Sequence, residues 1–215
     1  MKRFCLATGL LFLLLFWGVL LPFADRASFT VHMIAHMGIV AGAAPLIAIG
    51  LSGTRADFPA RWAWFTPVVA SVVELLAVWA WHIPALRLGS ESSSGIAAVE
   101  QLTFLAAGLA LWLSCLGGGL QEGRDGRRLA GAFGLLFTSM HMTLLGALLA
   151  LSPRALYGVG DVTCFGFTLS PLVDQQAGGV IMLLVGAAVY LAGGVSLLAT
   201  TLNSGVPETQ RRRAR

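Results

Sequence analysis

Apolar residues in this chain come in blocks long enough to cross a lipid bilayer, and that alone decides the class of fold open to it. The first block runs nearly unbroken from Phe4 to Leu21, and a membrane-spanning helix needs about 20 such residues. Six blocks of this kind occur, at residues 4–23, 31–50, 62–84, 96–117, 130–150 and 173–200. Only 11% of the 215 residues are charged and 57% are hydrophobic, whereas a soluble domain carries about 25% charge. That deficit rules out an ordinary disordered chain and argues against a freely soluble globule. The expected fold is all-α, a polytopic membrane helix bundle of six transmembrane helices. Residues 1–202 form its single domain, and 203–215 a basic cytoplasmic tail.

The direction of the helices follows from the basic residues. With the N-terminus in the cytoplasm, Lys2, Arg3, Arg55, Arg61, Arg124, Arg127, Arg128, Arg211, Arg212, Arg213 and Arg215 all fall on the cytoplasmic side. Arg26, Arg87 and Arg154 fall on the other. Such a bias predicts that both termini are cytoplasmic. The net charge of +4 therefore reports membrane orientation, and no aromatic-interleaved basic groove points to nucleic acid. The Arg cluster of the tail suits an anionic lipid surface. Lys2 and Arg3 before an apolar run also fit a signal peptide cut near Ala24 or Ala27, but the run exceeds the usual h-region of about 7–15 residues. A retained first helix is the expectation. Cys5, Cys115 and Cys164 form no CxxC pair and give no disulfide framework or zinc knuckle.

Breaks between helices are marked by turn residues. Pro22 and Asp25 to Ser28 separate the first two. Gly50 to Pro59 is a polar turn, Pro84 ends the third helix, and Gly89 to Gly95 reads as a Ser/Gly-rich loop. Gly117 to Gly119 closes the fourth helix. Residues 151–172 form a long outer loop, and Ser170-Pro171 looks like a helix start. The pairs Gly38–Gly42, Gly42–Gly50 and Gly186–Gly194 repeat small residues at helical spacings, as close helix packing requires.

A charge or imidazole in hydrocarbon is costly and marks a buried pair or a functional site. The few exceptions gather toward the outer level. His32 and His36 lie one turn apart and share a helix face. His82 sits at the outer end of the third helix, Glu100 and Gln101 in the outer turns of the fourth, and Asp174, Gln175 and Gln176 at the start of the sixth. His141 lies deeper, near the middle of the fifth helix. Glu74, eight residues before His82, is about 12 Å deeper, and a neutral hydrogen-bonded acid suits that position better than a lone anion. HxxxH on a helix can present two rings to one metal ion, but Met33 and Ile34 stand where HExxH peptidases need Glu. Met33, Met37, Met140, Met142 and Met182 lie nearby, and thioether with imidazole suits copper, above all Cu(I). The metal candidates are thus His32, His36, His82 and His141. Glu100, Gln101, Asp174, Gln175, Gln176 and Glu74 are candidates for the surrounding polar site, and Met140, Met142 and Met182 for soft ligands. Met33 and Met37 are turned about 100° from the histidines. Haem b is the alternative cofactor, since four histidines supply axial ligands; the absence of CxxCH excludes covalent haem. No catalytic triad or phosphate loop is present, and an enzyme is not the expected reading.

The ordered pieces His32-Met33-Ile34-Ala35-His36-Met37, Pro45, Trp81-His82-Ile83-Pro84, Glu100, Gly146-Ala147-Leu148-Leu149, Ser152-Pro153-Arg154, Tyr157, Ser170-Pro171-Leu172-Val173-Asp174-Gln175-Gln176 and Gly179-Val180-Ile181-Met182 resemble one family. It is that of the cytochrome c oxidase assembly factors of the caa3 CtaG type, and the resemblance spans about residues 31–200. It implies a bacterial inner-membrane protein that helps mature a haem–copper oxidase, binds or delivers copper at the outer face, and has oxidase subunits, the lipid bilayer and a periplasmic copper chaperone as partners. It also implies that His32, His36, His82, Glu100, Asp174, Gln175 and Gln176 are the family's polar positions. Where the resemblance places a histidine after the helix-four glutamate, this chain has Gln101, a poor copper ligand. A ligand is then lost or replaced, with His141 the candidate. A metal-free oxidase-associated interaction protein is the remaining alternative.

Overall fold

Prolines and hydroxyl caps set the helix boundaries. The computed structural model describes residues 1–23, 25–58, 62, 64–117, 124–158 and 160–204. Ser28, Thr66 and Ser93 each accept a hydrogen bond from the backbone N–H three residues on, which satisfies a donor that the helix itself leaves open. Pro67 and Pro84 stand in the first helical turn, where the missing N–H is harmless. The helices are α1 Lys2–Phe23, α2 Phe29–Leu51, α3 Pro67–Trp81, α4 Pro84–Ser92, α5 Ser94–Leu116, α6 Arg124–Ala150 and α7 Pro171–Ser204. Ala24, Pro59, Arg61, Gly118, Gly119 and Arg211 to Arg215, which entered the expectations above, lie outside the described residues, as does nearly all of the basic tail.

Among the described residues, five helices are long and apolar enough to cross a membrane. The pair α3 and α4, which meet at 71°, is apolar and long enough only when taken together, giving up to six spans. The architecture is the expected all-α membrane bundle, with two local corrections. First, the third helix starts at Pro67, not near residue 62; Trp62 and Trp64 instead stack on one another at 5.9 Å before the Thr66 cap. Second, the stretch read as a Ser/Gly loop is mostly helical. Pro84 starts α4, which runs through Ser92, and only Ser93 separates it from α5. Pro84 also pushes Ile83 into an extended conformation (φ −67, ψ 128), as the residue before a proline requires. That is the physical origin of the bend.

The outer loop holds a small antiparallel hairpin, β1 Val162–Cys164 and β2 Phe167–Leu169, which the sequence reading did not foresee. Its turn places Phe165 and Gly166 at φ 48 and 86, a conformation that glycine adopts without strain.

α1 and α2 each contain a six-residue π-turn, Leu15–Leu20 and Gly38–Ala43. Each ends two residues before a proline, Pro22 or Pro45. A proline inside a helix removes one donor and crowds the carbonyl four residues back, and a π-turn relieves both. The carbonyl of Val40 in the second turn accepts from the Trp112 Nε1–H at 2.9 Å, with the Tyr190 hydroxyl oxygen 3.3 Å away.

Small residues set the packing. α1 lies along the Gly38, Gly42 and Gly50 stripe of α2, where Phe16, Phe12 and Leu6 fill the space a side chain would take. α6 and α7 make the most extensive contact of the bundle. A Cβ at Gly146 would meet the Leu183 backbone nitrogen at 2.7 Å, and one at Gly179 the Ala150 nitrogen at 2.6 Å. These glycines let the two backbones touch. Outward-facing Leu10, Leu11, Leu14, Leu15 and Val19 of α1 are exposed, as a lipid-facing surface allows.

Candidate functional site

Two elements, α2 and the end of α3, bring three imidazoles together at one end of the bundle. His32 and His36 project from α2 with rings nearly parallel, 7° apart in plane and 6.3 Å between centroids. The bend after α3 leaves His82 at its terminus, 6.1 Å from His32 and 5.7 Å from His36. Phe104 of α5 packs at 4.0 Å from His36. Phe29 lies 5.9 Å from His32 and stacks on Tyr157 at 4.5 Å. All three histidines are buried, His36 completely.

The ring nitrogens are sparsely partnered. His82 Nδ1 donates to the Val78 carbonyl at 2.6 Å, which fixes its tautomer and leaves the Nε2 lone pair free, the usual arrangement of a ligating imidazole. His32 Nδ1 lies 3.3 Å from Arg87 Nη1 and 3.7 Å from Glu100 Oε2. A guanidinium only donates, so His32 accepts there and carries its proton on Nε2 while Arg87 holds it. His36 has a partner at neither nitrogen, and the Nε2 atoms of His32 and His82 also have none. Leaving a buried polar group unpaired costs about 1–3 kcal/mol.

Separation and orientation of the rings differ in readiness. In a near-equilateral triangle of these sides, the point equidistant from all three rings lies about 3.5 Å from each centroid. A metal bound through a ring nitrogen at about 2.0 Å sits about 3 Å from the centroid. Yet among the described residues no group of three His, Cys, Asp or Glu side chains forms a preformed ion site.

The other sequence candidates fall in different places. Glu100 and Gln101 are buried beside His32 and line a cavity of about 420 Å³ with Trp17, Arg87 and Ser90. Asp174 accepts from the Ser28 hydroxyl at 2.9 Å and from the Phe29 and Thr30 backbone N–H groups. It caps α2 and does not orient an imidazole. Gln175 accepts from the Leu156 N–H at 2.6 Å and donates to the Leu149 carbonyl, and Gln176 donates to the Ser152 carbonyl. Both tie the outer loop to α7. Glu74 lies deeper, with the Tyr190 hydroxyl donating to its Oε1 at 2.8 Å. His141 stands apart from the triad, its ring 5.7 Å from Phe137 and its nitrogens unpartnered. Met140 points outward at 60% exposure, whereas Met142 and Met182 are fully buried. The helical phase of α6 turns residue 140 to the outside and 142 to the inside.

Arg87 is the chief residue that sequence reading missed. The charge bias places it on the outer side and nothing more; it is only 4% exposed. Besides His32 it reaches the Arg26 carbonyl at 2.8 Å and Glu91 at 3.1 Å. The i,i+4 spacing of Arg87 and Glu91 was the available signal. Tyr157 donates to the His82 carbonyl at 2.7 Å, and burial pushes its hydroxyl up to about 12, so it remains a donor.

Over residues 1–204 the chain matches the family described as cytochrome c oxidase caa3 assembly factor (Caa3_CtaG). The chain belongs to this family. The chain is thus an assembly factor of cytochrome c oxidase, and its long apolar helices fit a multi-pass inner-membrane protein. Neither a curated protein nor a solved structure matches it. The residues on which the resemblance was drawn include all three histidines of the triad.

Proposed function

We propose that this assembly factor handles copper for a haem–copper cytochrome c oxidase through His32, His36 and His82, at the outer face of the bacterial inner membrane. The supporting observation is the buried triad, whose free nitrogens have no structural employment. Copper is cargo here. His36 and His82 offer lone pairs directly, and His32 joins when Arg87 yields its Nδ1 to Glu100. The guanidinium of Arg87 beside the site repels a bound cation, and the carboxyls of Glu91 and Glu100 counter that repulsion. The cavity between α1 and α5 leads to His32 and Glu100, giving cargo a path. The partners are oxidase subunits as recipients, the surrounding lipid bilayer and a periplasmic copper chaperone as donor. The charge bias puts both termini in the cytoplasm, and residues 1–202 act as one unit with the 203–215 tail on the inner lipid surface.

Haem b fits the geometry poorly. Phe104 lies within 6.5 Å of all three rings, filling the space a flat macrocycle would need between two axial histidines.

In a strain that depends on this chain for oxidase assembly, His36→Ala with His82→Ala is expected to lower oxidase activity at least about tenfold, as loss of metal ligation does. Added copper in the medium should restore part of it. Full activity in the double variant at low copper would overturn the proposal and leave a metal-free assembly role.

A further inference from the structure

The wall that α5 offers to α1 is made largely of small residues. Ser94, Ala97, Ala98, Gln101 and Leu102 follow at helical spacings and so form one stripe. Trp17 and Leu21, one turn apart on α1, line the other side. The glycine stripe of α2 holds α1, which makes little contact with α5. Alanines across such a gap leave the cavity of about 420 Å³, a size within the range of small-molecule sites, about 300–1,000 Å³.

The charged groups of its lining are balanced and engaged. Asp25 accepts from the Ala27 and Thr163 N–H groups, and Arg26 donates to the Ser94 hydroxyl at 2.9 Å. Arg87 pairs with Glu91 at 3.1 Å, and Glu100 lies 3.7 Å from His32. Outside the triad, two uncharged side chains of the lining keep an unmet polar atom, Trp17 Nε1 and Gln101 Oε1. Gln101 is 7% exposed. It lies a little under two turns inside the start of α5, as Trp17 does inside the end of α1, and the Arg26 bond to Ser94 ties those two ends together. Both side chains therefore stand about 10 Å inside the helix ends, where an ionic head would be costly in hydrocarbon.

We propose that this cavity binds a membrane-soluble amphiphile with an uncharged head of hydroxyl or carbonyl oxygens, the chemistry shared by quinones, quinols and glycerides. The Trp17 N–H donates to a head oxygen. The Gln101 amide both donates and accepts, so it meets a carbonyl or a hydroxyl. Charges that already have partners add no net attraction for a phosphate or carboxylate. The tail leaves between α1 and α5, past exposed Leu102. The site does not depend on the copper reading. His32 and Glu100 belong to the same lining, so a seated ligand and copper on its way to the triad exclude one another.

The test uses the full-length protein in phosphatidylcholine nanodiscs, melted with three probes of equal tail length: a decyl benzoquinone, monodecanoylglycerol and decyl phosphate. A ligand of the folded state raises the melting temperature in a saturable way. The quinone, the glyceride or both should do so, which names the source, and decyl phosphate should not. Ala97→Phe fills the cavity and should raise the half-saturating concentration at least about tenfold. Gln101→Leu keeps the side chain's size and should weaken binding in the same direction, which covers the case that the phenylalanine variant fails to fold. No saturable shift with either neutral probe, an equal shift with decyl phosphate, or an unchanged response in the variants would overturn the proposal.

Discussion

Replacing His36 by leucine is expected to raise or preserve the melting temperature of the copper-free protein while cutting bound copper at least about tenfold. The two effects have one cause. His36 is completely buried and neither ring nitrogen has a partner. An unpaired buried polar group costs about 1–3 kcal/mol, and leucine fills a similar volume without that penalty. Its neighbour Phe104, 4.0 Å away between ring centroids, is apolar and would accept the change. A residue that destabilises the fold it sits in is retained for function. Parallel melting curves and metal analysis check both halves. A marked fall in melting temperature would mean that the ring supports the structure and that its burial is no sign of cargo.

Asp174→Ala is expected to be severely destabilising, by about 3–5 kcal/mol, because it strands three buried donors at once. The side chain is 2% exposed and accepts from the Ser28 hydroxyl and two N–H groups of the first turn of α2. A carboxylate at a helix N-terminus also gains from the helix dipole. Thr30 returns a bond from its hydroxyl to the Asp174 carbonyl at 2.9 Å, so the start of α2 is stitched to α7. Asp174→Asn keeps one acceptor and should recover part of the loss. The measurement is thermal unfolding in detergent for all three proteins. Copper content should fall in step with the folded fraction, since His32 sits two residues beyond Thr30 on the helix that loses its cap. Equal melting of Asp174→Ala and wild type would show that the cap contributes little.

Much of the bundle was legible because a bilayer leaves a length signal in the chain. Blocks of apolar residues locate α1, α2, α5 and α7 to within a few positions, whereas α6 begins at Arg124, six residues ahead of its apolar block. The shared face of His32 and His36 follows from helical periodicity, and Trp81-His82-Ile83-Pro84 marks a helix end that carries a histidine. What the sequence does not encode locally is how elements fold back on one another. Arg87 looks solvated as a loop residue; it is buried because α4 turns 71° from α3 and lays it against His32. Asp174 was read as part of the polar site for the same reason. A carboxyl opening a helix usually serves that helix, and its service to α2 depends on the packing of α2 against α7. His141 and Met140 show the same limit for helical phase. Depth along a helix is readable, but which side meets a neighbour is set by partners far away in the chain.

The sharpest test of the triad is the copper K-edge absorption spectrum of the full-length protein loaded with Cu(I). Two or three imidazole rings should be seen around the metal, one fewer in His36→Ala and one fewer in His82→Ala. A spectrum with no imidazole scattering, or one that neither substitution changes, would contradict the assignment of these histidines to copper.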